Sequence, residues 1–345
     1  MNYRIIWRTT GIIMLVEAVF MLPVMIYAFF AKEDPLPFVY SMLILSAIGF
    51  PLSRINTAAG LFYAKNAFVT VVNYLDCLFE SVSGFSTTGG SLFSSIDHLP
   101  NTILLWRNCT VFWGGMGVLL FATAILPASR DRSHNLMRVE TPGPMSSKLV
   151  PKLSQSSKIL YSIYFSLAIV HFICLLAVGI NAFDALNIAM STAGTGGFSV
   201  INNGISAYNN TAAELIISTF MLLSSINYIA YFFLFTGRFR EFFKMSELKF
   251  YLLFIAAAIL LIAVNIYSVY GDVGTSLKYS FFTVTAFAST TGYNVVDHNA
   301  WPMFSKAVIF VLIMIGGCAG STAGGIKISR VAIILKSIMR EVKQI

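Results

Sequence analysis

Charged residues are scarce in this chain. Only 11% of its 345 residues are Asp, Glu, Lys or Arg, while 57% are hydrophobic, and the mean hydropathy is +0.77. A soluble domain of ordinary composition carries about 25% charged residues. The composition therefore excludes an ordinary soluble protein and indicates an integral membrane protein.

Cysteine and histidine are too few and too scattered for familiar metal or redox chemistry. Four cysteines, Cys77, Cys109, Cys174 and Cys318, lie singly in apolar segments without any CxxC pair. Neither a zinc site nor a disulfide framework is expected from this spacing. No Ser/His/Asp or Cys/His set favours nucleophilic catalysis. The sequence thus predicts neither an enzyme nor a bound cofactor.

Long apolar runs make up most of the chain. Runs long enough to cross a bilayer, about 20 residues each, lie at 10–31, 36–53, 103–126, 158–181, 212–236, 249–270 and 303–325. Shorter apolar pieces, of the length expected for re-entrant half-helices, lie at 73–86, 184–194 and 276–289. This pattern predicts an all-α polytopic membrane protein.

The formal net charge of +8 is distributed in a way that predicts orientation. Basic residues cluster at 130–158, 238–249 and 327–343. The segments beside the short pieces contain no Lys or Arg, and these are 199–211, 270–275 and 293–300. The positive-inside rule then places the clusters and the N-terminus in the cytoplasm. The basic excess predicts orientation in the membrane rather than nucleic-acid binding.

Each short piece is followed by an uncharged run of Ser, Thr and Gly. Aligning "GFSTTGGSLF", "TAGTGGFSV" and "FASTTGYNVV" on Gly89, Gly196 and Gly292 puts a Thr-Gly pair in every run. A unit of span, short helix, polar loop and span thus recurs about every 100 residues. One such run alone favours small-residue helix packing, but three at matched positions predict a repeated functional loop.

The composition of these loops suits a cation pathway. An ion that crosses a bilayer exchanges its water shell for other oxygens, and rings of backbone carbonyls supply them in potassium filters. Glycine permits the backbone turns that such rings require. A half-helix that enters from outside points its negative dipole end toward the membrane centre, where it favours a cation.

The glycine-rich run "GGCAGSTAGGIK" at 316–327 interrupts the last span. It differs from a phosphate-binding loop, because Ile326 stands where that motif requires Lys. An unwound segment at membrane depth can line a cavity or move to occlude a pore. The run therefore predicts a hinge or gate, with close helix packing as the alternative.

Four charged residues near the loops have candidate roles. Glu80 either raises the cation concentration at an outer mouth or ties down the first loop. Arg107 is expected to snorkel or to pair, and Asp184 to cap the second short helix. Lys327 either pairs with a loop carbonyl or marks the inner membrane boundary.

Together these motifs resemble the TrkH/TrkG/KtrB superfamily of potassium uptake proteins, most closely its bacterial TrkH branch. The resemblance is carried by "LFESVSGFSTTGGS", "RNCTVFWGGMG", "VETPGP", "STAGTGGFS", "STTGY" and "GGCAGSTAGGIK". It implies M1–P–M2 units around one pore, as in potassium channels, with extra N-terminal helices. It also implies a homodimer in the bacterial inner membrane, a cytoplasmic nucleotide-binding ring of the TrkA/KtrA type, and potassium as the ion carried.

The resemblance also assigns roles to individual residues. The implied potassium filter comprises Thr87, Thr88, Gly89, Gly194, Thr195, Gly196, Thr290, Thr291 and Gly292. The implied gate comprises Gly316, Gly317, Gly320, Ser321, Thr322, Gly324, Gly325 and Lys327. Two alternatives remain, which are a non-conducting membrane scaffold and a sodium-selective or sodium-coupled relative.

The same resemblance divides the chain into an N-terminal helix pair and pore repeats. The pair is expected at 1–66, and the later parts at 67–127 (first repeat), 128–157 (cytoplasmic connector), 158–237 (second repeat) and 238–345 (third repeat with the gate). Residues 67–72 are too few to cross about 30 Å of hydrocarbon before the first short helix. Most of the first M1 helix is therefore expected to be absent. The family has four repeats and three loops are present, so the fourth repeat is also expected to be absent.

Overall fold

A computed structural model describes residues 3–54, 71–93, 95–117 and 153–342. The regular structure in these ranges is helical. The helices are α1 (Tyr3–Phe30), α2 (Leu36–Ser53), α3 (Val71–Phe85), α4 (Asn101–Gly115), α5 (Leu153–Ala177), α6 (Ala182–Gly194), α7 (Thr211–Ser224), α8 (Tyr228–Phe235), α9 (Phe239–Lys244), α10 (Ser246–Tyr270), α11 (Val273–Ala288), α12 (Met303–Ile315) and α13 (Ile328–Val342). Short 3-10 turns lie at Gly204–Tyr208 and His298–Ala300.

Several of these helices are long and apolar enough to cross a membrane. Among the described residues they are Leu36–Ser53, Lys158–Ala177 and Ser246–Tyr270, with the bent pair α7–α8 as a fourth if it counts as one span. The three short apolar pieces form α3, α6 and α11, which have 15, 13 and 16 residues. These lengths confirm the three predicted short helices. The helices that follow the second and third of them, α7 and α12, are also short, with 14 and 13 residues.

The described part of the chain divides into two compact units. The first comprises Met1–Val82, Ser91–Ser94 and His98–Arg107, and the second comprises Ser83–Gly90, Ser95–Asp97 and Asn108–Ile345. In the first unit, α1 and α2 pack closely at two glycines. A Cβ built on Gly11 would lie 2.5 Å from Ser53 N, and one on Gly49 would lie 3.0 Å from Gly11 O. Small residues let helix backbones approach to this distance.

Glu33, just beyond α1, caps α4 within the first unit. Its carboxylate accepts hydrogen bonds from Asn101 N at 3.1 Å, Thr102 N at 2.9 Å and the Thr102 hydroxyl at 2.5 Å. A carboxylate at a helix N-terminus satisfies free N–H groups and favourably meets the positive dipole end. Glu33 therefore holds the beginning of the helix that follows the first polar loop.

The second unit contains the same order of helices twice. A long helix (α5 or α10) leads to a short helix (α6 or α11), a polar loop and a further helix (α7 or α12). The core is built from several of these parts, and it includes Leu175, Ile188, Ile217 and Phe282, each at most 2% exposed. The repeated order places both polar loops at the C-terminal ends of buried short helices.

One predicted span, 212–236, is wrong as a continuous helix. Helix α7 ends at Ser224, and α8 begins at Tyr228 after a 94° bend. Ser225 O accepts a hydrogen bond from Cys318 N at 2.9 Å, and Tyr228 N donates to Gly320 O at 3.0 Å. The helix breaks here because a distant chain segment supplies the backbone partners that an unbroken helix would have used.

Some predicted features lie outside the described residues. They are residues 67–70 of the predicted M1 remnant, the motif "VETPGP", and the cytoplasmic connector as far as residue 152. The boundaries of the pore repeats stay predictions.

Candidate functional site

The three polar loops share one backbone conformation. Each short helix is followed by a threonine with positive φ, and the values are 55° at Thr87, 56° at Thr195 and 60° at Thr290. Two residues later comes a glycine with positive φ, with 70° at Gly89, 75° at Gly197 and 79° at Gly292. Non-glycine residues rarely adopt the left-handed region. Its recurrence at matched threonines therefore marks one loop structure used three times.

This conformation corrects the alignment of the second loop by one residue. Gly197, not Gly196, is equivalent to Gly89 and Gly292. Gly196 is instead equivalent to Thr88. The backbone N–H of each donates to the carbonyl five residues earlier, which is Ser191 O for Gly196 and Ser83 O for Thr88. Gly197 was missed because the alignment required Thr directly before Gly, whereas two adjacent glycines here permit either register.

Successive loops touch each other through their backbones. A Cβ built on Gly89 would lie 1.6 Å from Gly196 O, and one on Gly197 would lie 1.8 Å from Thr291 O. A Cβ on Gly292 would have no heavy atom within 4 Å. Glycine is thus required at 89 and 197 both for its conformation and for the close approach. Each contact places a backbone oxygen of one loop against the glycine of the preceding loop.

The short helices before the second and third loops are capped by side chains. Asn181 caps α6 by accepting from Asp184 N at 2.9 Å, so the prediction that Asp184 is the cap is wrong. Asp272 caps α11 by accepting from Thr275 N at 2.7 Å. Hydrogen bonds from Thr275 keep the pKa of the Asp272 carboxyl below its usual value. The C-terminal, negative ends of these helices then lead directly into the loops.

The glycine-rich run at 316–327 is non-helical, and its central part contacts the second and third loops. The Thr195 hydroxyl donates to Thr322 O at 3.0 Å, and Gly324 N donates to the Thr290 hydroxyl at 2.7 Å. The Thr322 hydroxyl donates to Ala193 O at 2.9 Å. Two of the three left-handed threonines therefore bond directly to this segment.

The remainder of the segment is held by groups outside the loops. Besides its bonds to the α7–α8 break, Ala319 N donates to Glu247 Oε1 at 2.7 Å. Lys327 is 5% exposed, and its ammonium donates to Ala323 O. The interpretation of Lys327 as the partner of a loop carbonyl is confirmed.

A cavity of about 380 Å³ adjoins the first loop and the glycine-rich run. Ser86 and Thr87 line it from the first loop, Gly114–Gly117 from the end of α4, and Gly320–Gly325 from the run. Thr87 thus faces a cavity, whereas its two counterparts, Thr195 and Thr290, bond to the run. The cavity gives the run space beside the first loop.

Glu80 ties down the chain after the first loop. Its carboxylate accepts from Arg107 Nε at 3.0 Å, from the Ser91 hydroxyl at 2.6 Å and from Leu92 N at 2.8 Å. Glu80 and Arg107 are 7% and 5% exposed. These contacts select the structural interpretation of Glu80 over an exposed cation-gathering carboxylate, and they confirm that Arg107 pairs.

Comparisons with known proteins agree with this architecture. A family model described as TrkH, cation transport protein, matches residues 52–345. The chain is 38% identical to the Trk system potassium uptake protein TrkH of Halomonas elongata, over 78% of this chain and 57% of that protein. It is 29% identical to the Trk system potassium uptake protein TrkG of Escherichia coli, over 100% of this chain and 76% of that protein.

A solved structure shares the fold. The crystal structure of the potassium transporter TrkH from Vibrio parahaemolyticus matches with a TM-score of 0.82 and 25% identity, over 100% of this chain and 76% of that one. This match confirms the predicted fold class and the predicted family resemblance. The matched part of the chain spans 57% of the length of the TrkH proteins of Halomonas elongata and Escherichia coli.

Proposed function

Because this chain belongs to the TrkH family of cation transport proteins, we propose that it forms a potassium uptake pathway. The observation that carries the proposal is the left-handed Thr and Gly pattern repeated at 87–89, 195–197 and 290–292. Relatives that bear the name potassium uptake protein support potassium as the ion. The proposed filter comprises the residues predicted from the sequence together with Gly197.

In the proposed pathway, loop carbonyls replace the water that potassium loses on entry. The oxygens of Gly196 and Thr291 lie at the contacts between successive loops, so their positions depend on the glycines that permit those contacts. The negative ends of α3, α6 and α11 lower the energy of a cation there. The loops need no charged side chain for this, and none stands at 81–91, 191–199 or 287–294.

The proposed gate is the glycine-rich run at 316–327. Its hydrogen bonds to Thr195 and Thr290 hold it against the second and third loops, which is the position expected of a closed gate. The cavity beside Thr87 offers space into which the run can move. Opening then breaks the hydrogen bonds of the run to the second and third loops without unfolding a helix.

The proposal extends to partners and orientation. It includes a homodimer, a cytoplasmic nucleotide-binding ring of the TrkA/KtrA type, and a cytoplasmic N-terminus in the bacterial inner membrane. The basic residues Arg238, Arg240 and Lys244, in and beside the exposed helix α9, support a cytoplasmic position for this part of the chain.

Substitution of Gly292 tests the filter. The full-length protein is expressed in a bacterial strain that lacks its own potassium uptake systems, and rubidium uptake is measured. We expect Gly292→Asp to abolish uptake, because it places a strained, charged residue in a loop that exchanges ions with water. Gly271→Asp is the matched control, since Gly271 also has positive φ and no neighbour within 4 Å but lies outside the loops.

Equal uptake by the wild type and Gly292→Asp, with equal amounts of protein in the membrane, rejects the filter. Equal loss of uptake in Gly292→Asp and Gly271→Asp assigns the effect to backbone strain and also rejects the filter assignment. Wild-type protein that reaches the membrane with its partner ring but carries no rubidium favours the scaffold alternative. Uptake of sodium in preference to rubidium favours the sodium-selective alternative.

A further inference from the structure

The residue after each left-handed glycine differs among the loops. It is Gly90 in the first loop, Phe198 in the second and Tyr293 in the third. The two aromatic residues are 2% and 3% exposed. Both are therefore part of the packed wall behind the loops rather than of an exposed surface.

Each aromatic ring packs against the short helix of the preceding repeat. A Cβ built on Gly84 of α3 would lie 3.6 Å from Phe198 Cε2. Tyr293 belongs to the buried cluster with Ala185 and Ile188 of α6, and its hydroxyl lies beside those of Ser191 and Thr192. Thr192 and Gly84 occupy the same position, three residues before the left-handed threonine. The two contacts are therefore equivalent steps around one structure.

The second step also carries a hydrogen bond between loops. The Tyr293 hydroxyl donates to Phe198 O at 3.3 Å. The equivalent carbonyl of the first loop, Gly90 O, accepts from the Ser83 hydroxyl of its own short helix at 2.6 Å. The carbonyl after the left-handed glycine thus receives its hydrogen bond from the third loop in the second loop, and from its own short helix in the first loop.

This hydrogen bond lies beside a close backbone contact between the two loops. The built Cβ of Gly197 meets Thr291 O, and these residues lie one before Phe198 and two before Tyr293. Selectivity among cations depends on the spacing of carbonyl oxygens or on their number and field strength. The Tyr293 hydroxyl holds Phe198 O and thereby the second loop. It therefore acts both on the spacing of the carbonyl oxygens and on their number and field strength.

We propose that Tyr293 is a positioning residue for ion selectivity. Its hydrogen bond to Phe198 O sets the spacing between the second and third loops that favours potassium over sodium. The inference rests on the proposed potassium pathway and deepens it. Tyr293 does not itself need to touch the ion, because it acts through the backbone of the second loop.

Tyr293→Phe removes the hydroxyl and keeps the ring in its cluster. The measured quantity is the sodium concentration that halves rubidium uptake by cells expressing the full-length protein. We expect this concentration to fall about two- to tenfold, the range that one neutral hydrogen bond supplies. The KM for rubidium is expected to rise more than the maximal rate falls. The control is Tyr231→Phe, which removes the hydrogen bond from a buried tyrosine to Leu223 O at 2.7 Å outside the loops.

A second measurement does not depend on flux. The melting temperature of the purified protein is titrated with potassium or sodium at constant ionic strength, and the ratio of the two half-maximal concentrations is compared. We expect Tyr293→Phe to narrow the ratio and Tyr231→Phe to leave it unchanged. If the wild type carries no flux but keeps a potassium preference that Tyr293→Phe narrows, the proposed function fails while the positioning role stands.

Several results overturn the inference. They are an unchanged ratio in Tyr293→Phe, an equal change in Tyr231→Phe, and a wild type that neither ion stabilises selectively. Failure of Tyr293→Phe to accumulate also overturns it, because the hydroxyl then serves folding rather than selectivity.

Discussion

The second loop contains two adjacent glycines, of which only Gly197 has positive φ, at 75°. A Cβ there would lie 1.8 Å from the backbone oxygen of Thr291, whereas a Cβ on Gly196 would meet the side chain of Val111 at 2.5 Å. We expect Gly197→Ala to abolish rubidium uptake, since the backbone contact cannot yield. Gly196→Ala should retain part of the uptake, because the added methyl group meets the side chain of Val111 rather than the backbone of a neighbouring loop.

The amount of each variant in the membrane is the control for this comparison. Left-handed backbone costs an L residue roughly 1–2 kcal/mol, so Gly197→Ala should also lower the melting temperature more than Gly196→Ala. Equal losses of uptake in the two variants would contradict the register that places Gly197 with Gly89 and Gly292.

At the scale of elements, two irregular segments satisfy each other. The break between α7 and α8 exposes Ser225 O and Tyr228 N, and the glycine-rich run supplies partners for both. Non-helical backbone at membrane depth requires such burial within protein. The break and the run are consequently one structural device, and displacement of the run leaves the break without its partners.

Thr322 provides the sharpest test of the gate. Its hydroxyl lies 2.9 Å from Ala193 O and 3.2 Å from Ser224 O, so its one hydrogen is shared between α6 and the end of α7. Thr322→Val keeps the shape and removes this shared hydrogen bond, which contributes about 1 kcal/mol. We expect about fivefold higher rubidium leak in proteoliposomes that lack the nucleotide-binding ring.

Thr322→Ser is the matched control, because it keeps the hydroxyl and should behave as the wild type. An unchanged leak in Thr322→Val, from protein that is folded by size-exclusion chromatography, would count against the gate.

At the scale of the whole molecule, the proposed orientation can be tested by labelling. Asn203 lies in an exposed turn after the second loop, and Lys244 is exposed at the end of α9. We expect a membrane-impermeant maleimide to label Asn203→Cys on intact cells. Lys244→Cys should be labelled only after permeabilisation, because the basic segment faces the cytoplasm.

The unsubstituted protein gives the background label from its native cysteines, of which Cys109 and Cys318 are buried. Labelling of Lys244→Cys on intact cells, with Asn203→Cys protected, would reverse the proposed orientation.

Composition and hydropathy are sufficient to establish the membrane class, the three short helices, and the position of the glycine-rich run. These features follow from local quantities, because an apolar length of about 20 residues and a run of glycines have the same meaning in almost any context. The loop motifs and the glycine-rich motif are specific enough to indicate the family on their own.

The register of the second loop, the break at Ser225 and the role of Glu80 depend on the tertiary structure. Each requires a partner far away in the chain or a particular backbone angle. Thr-Gly-Gly permits two registers until Thr291 O approaches Gly197. An apolar run such as 212–236 predicts one helix until Cys318 and Gly320 offer replacement hydrogen bonds. The carboxylate of Glu80 has two possible uses until the fold brings Arg107, Ser91 and Leu92 around it.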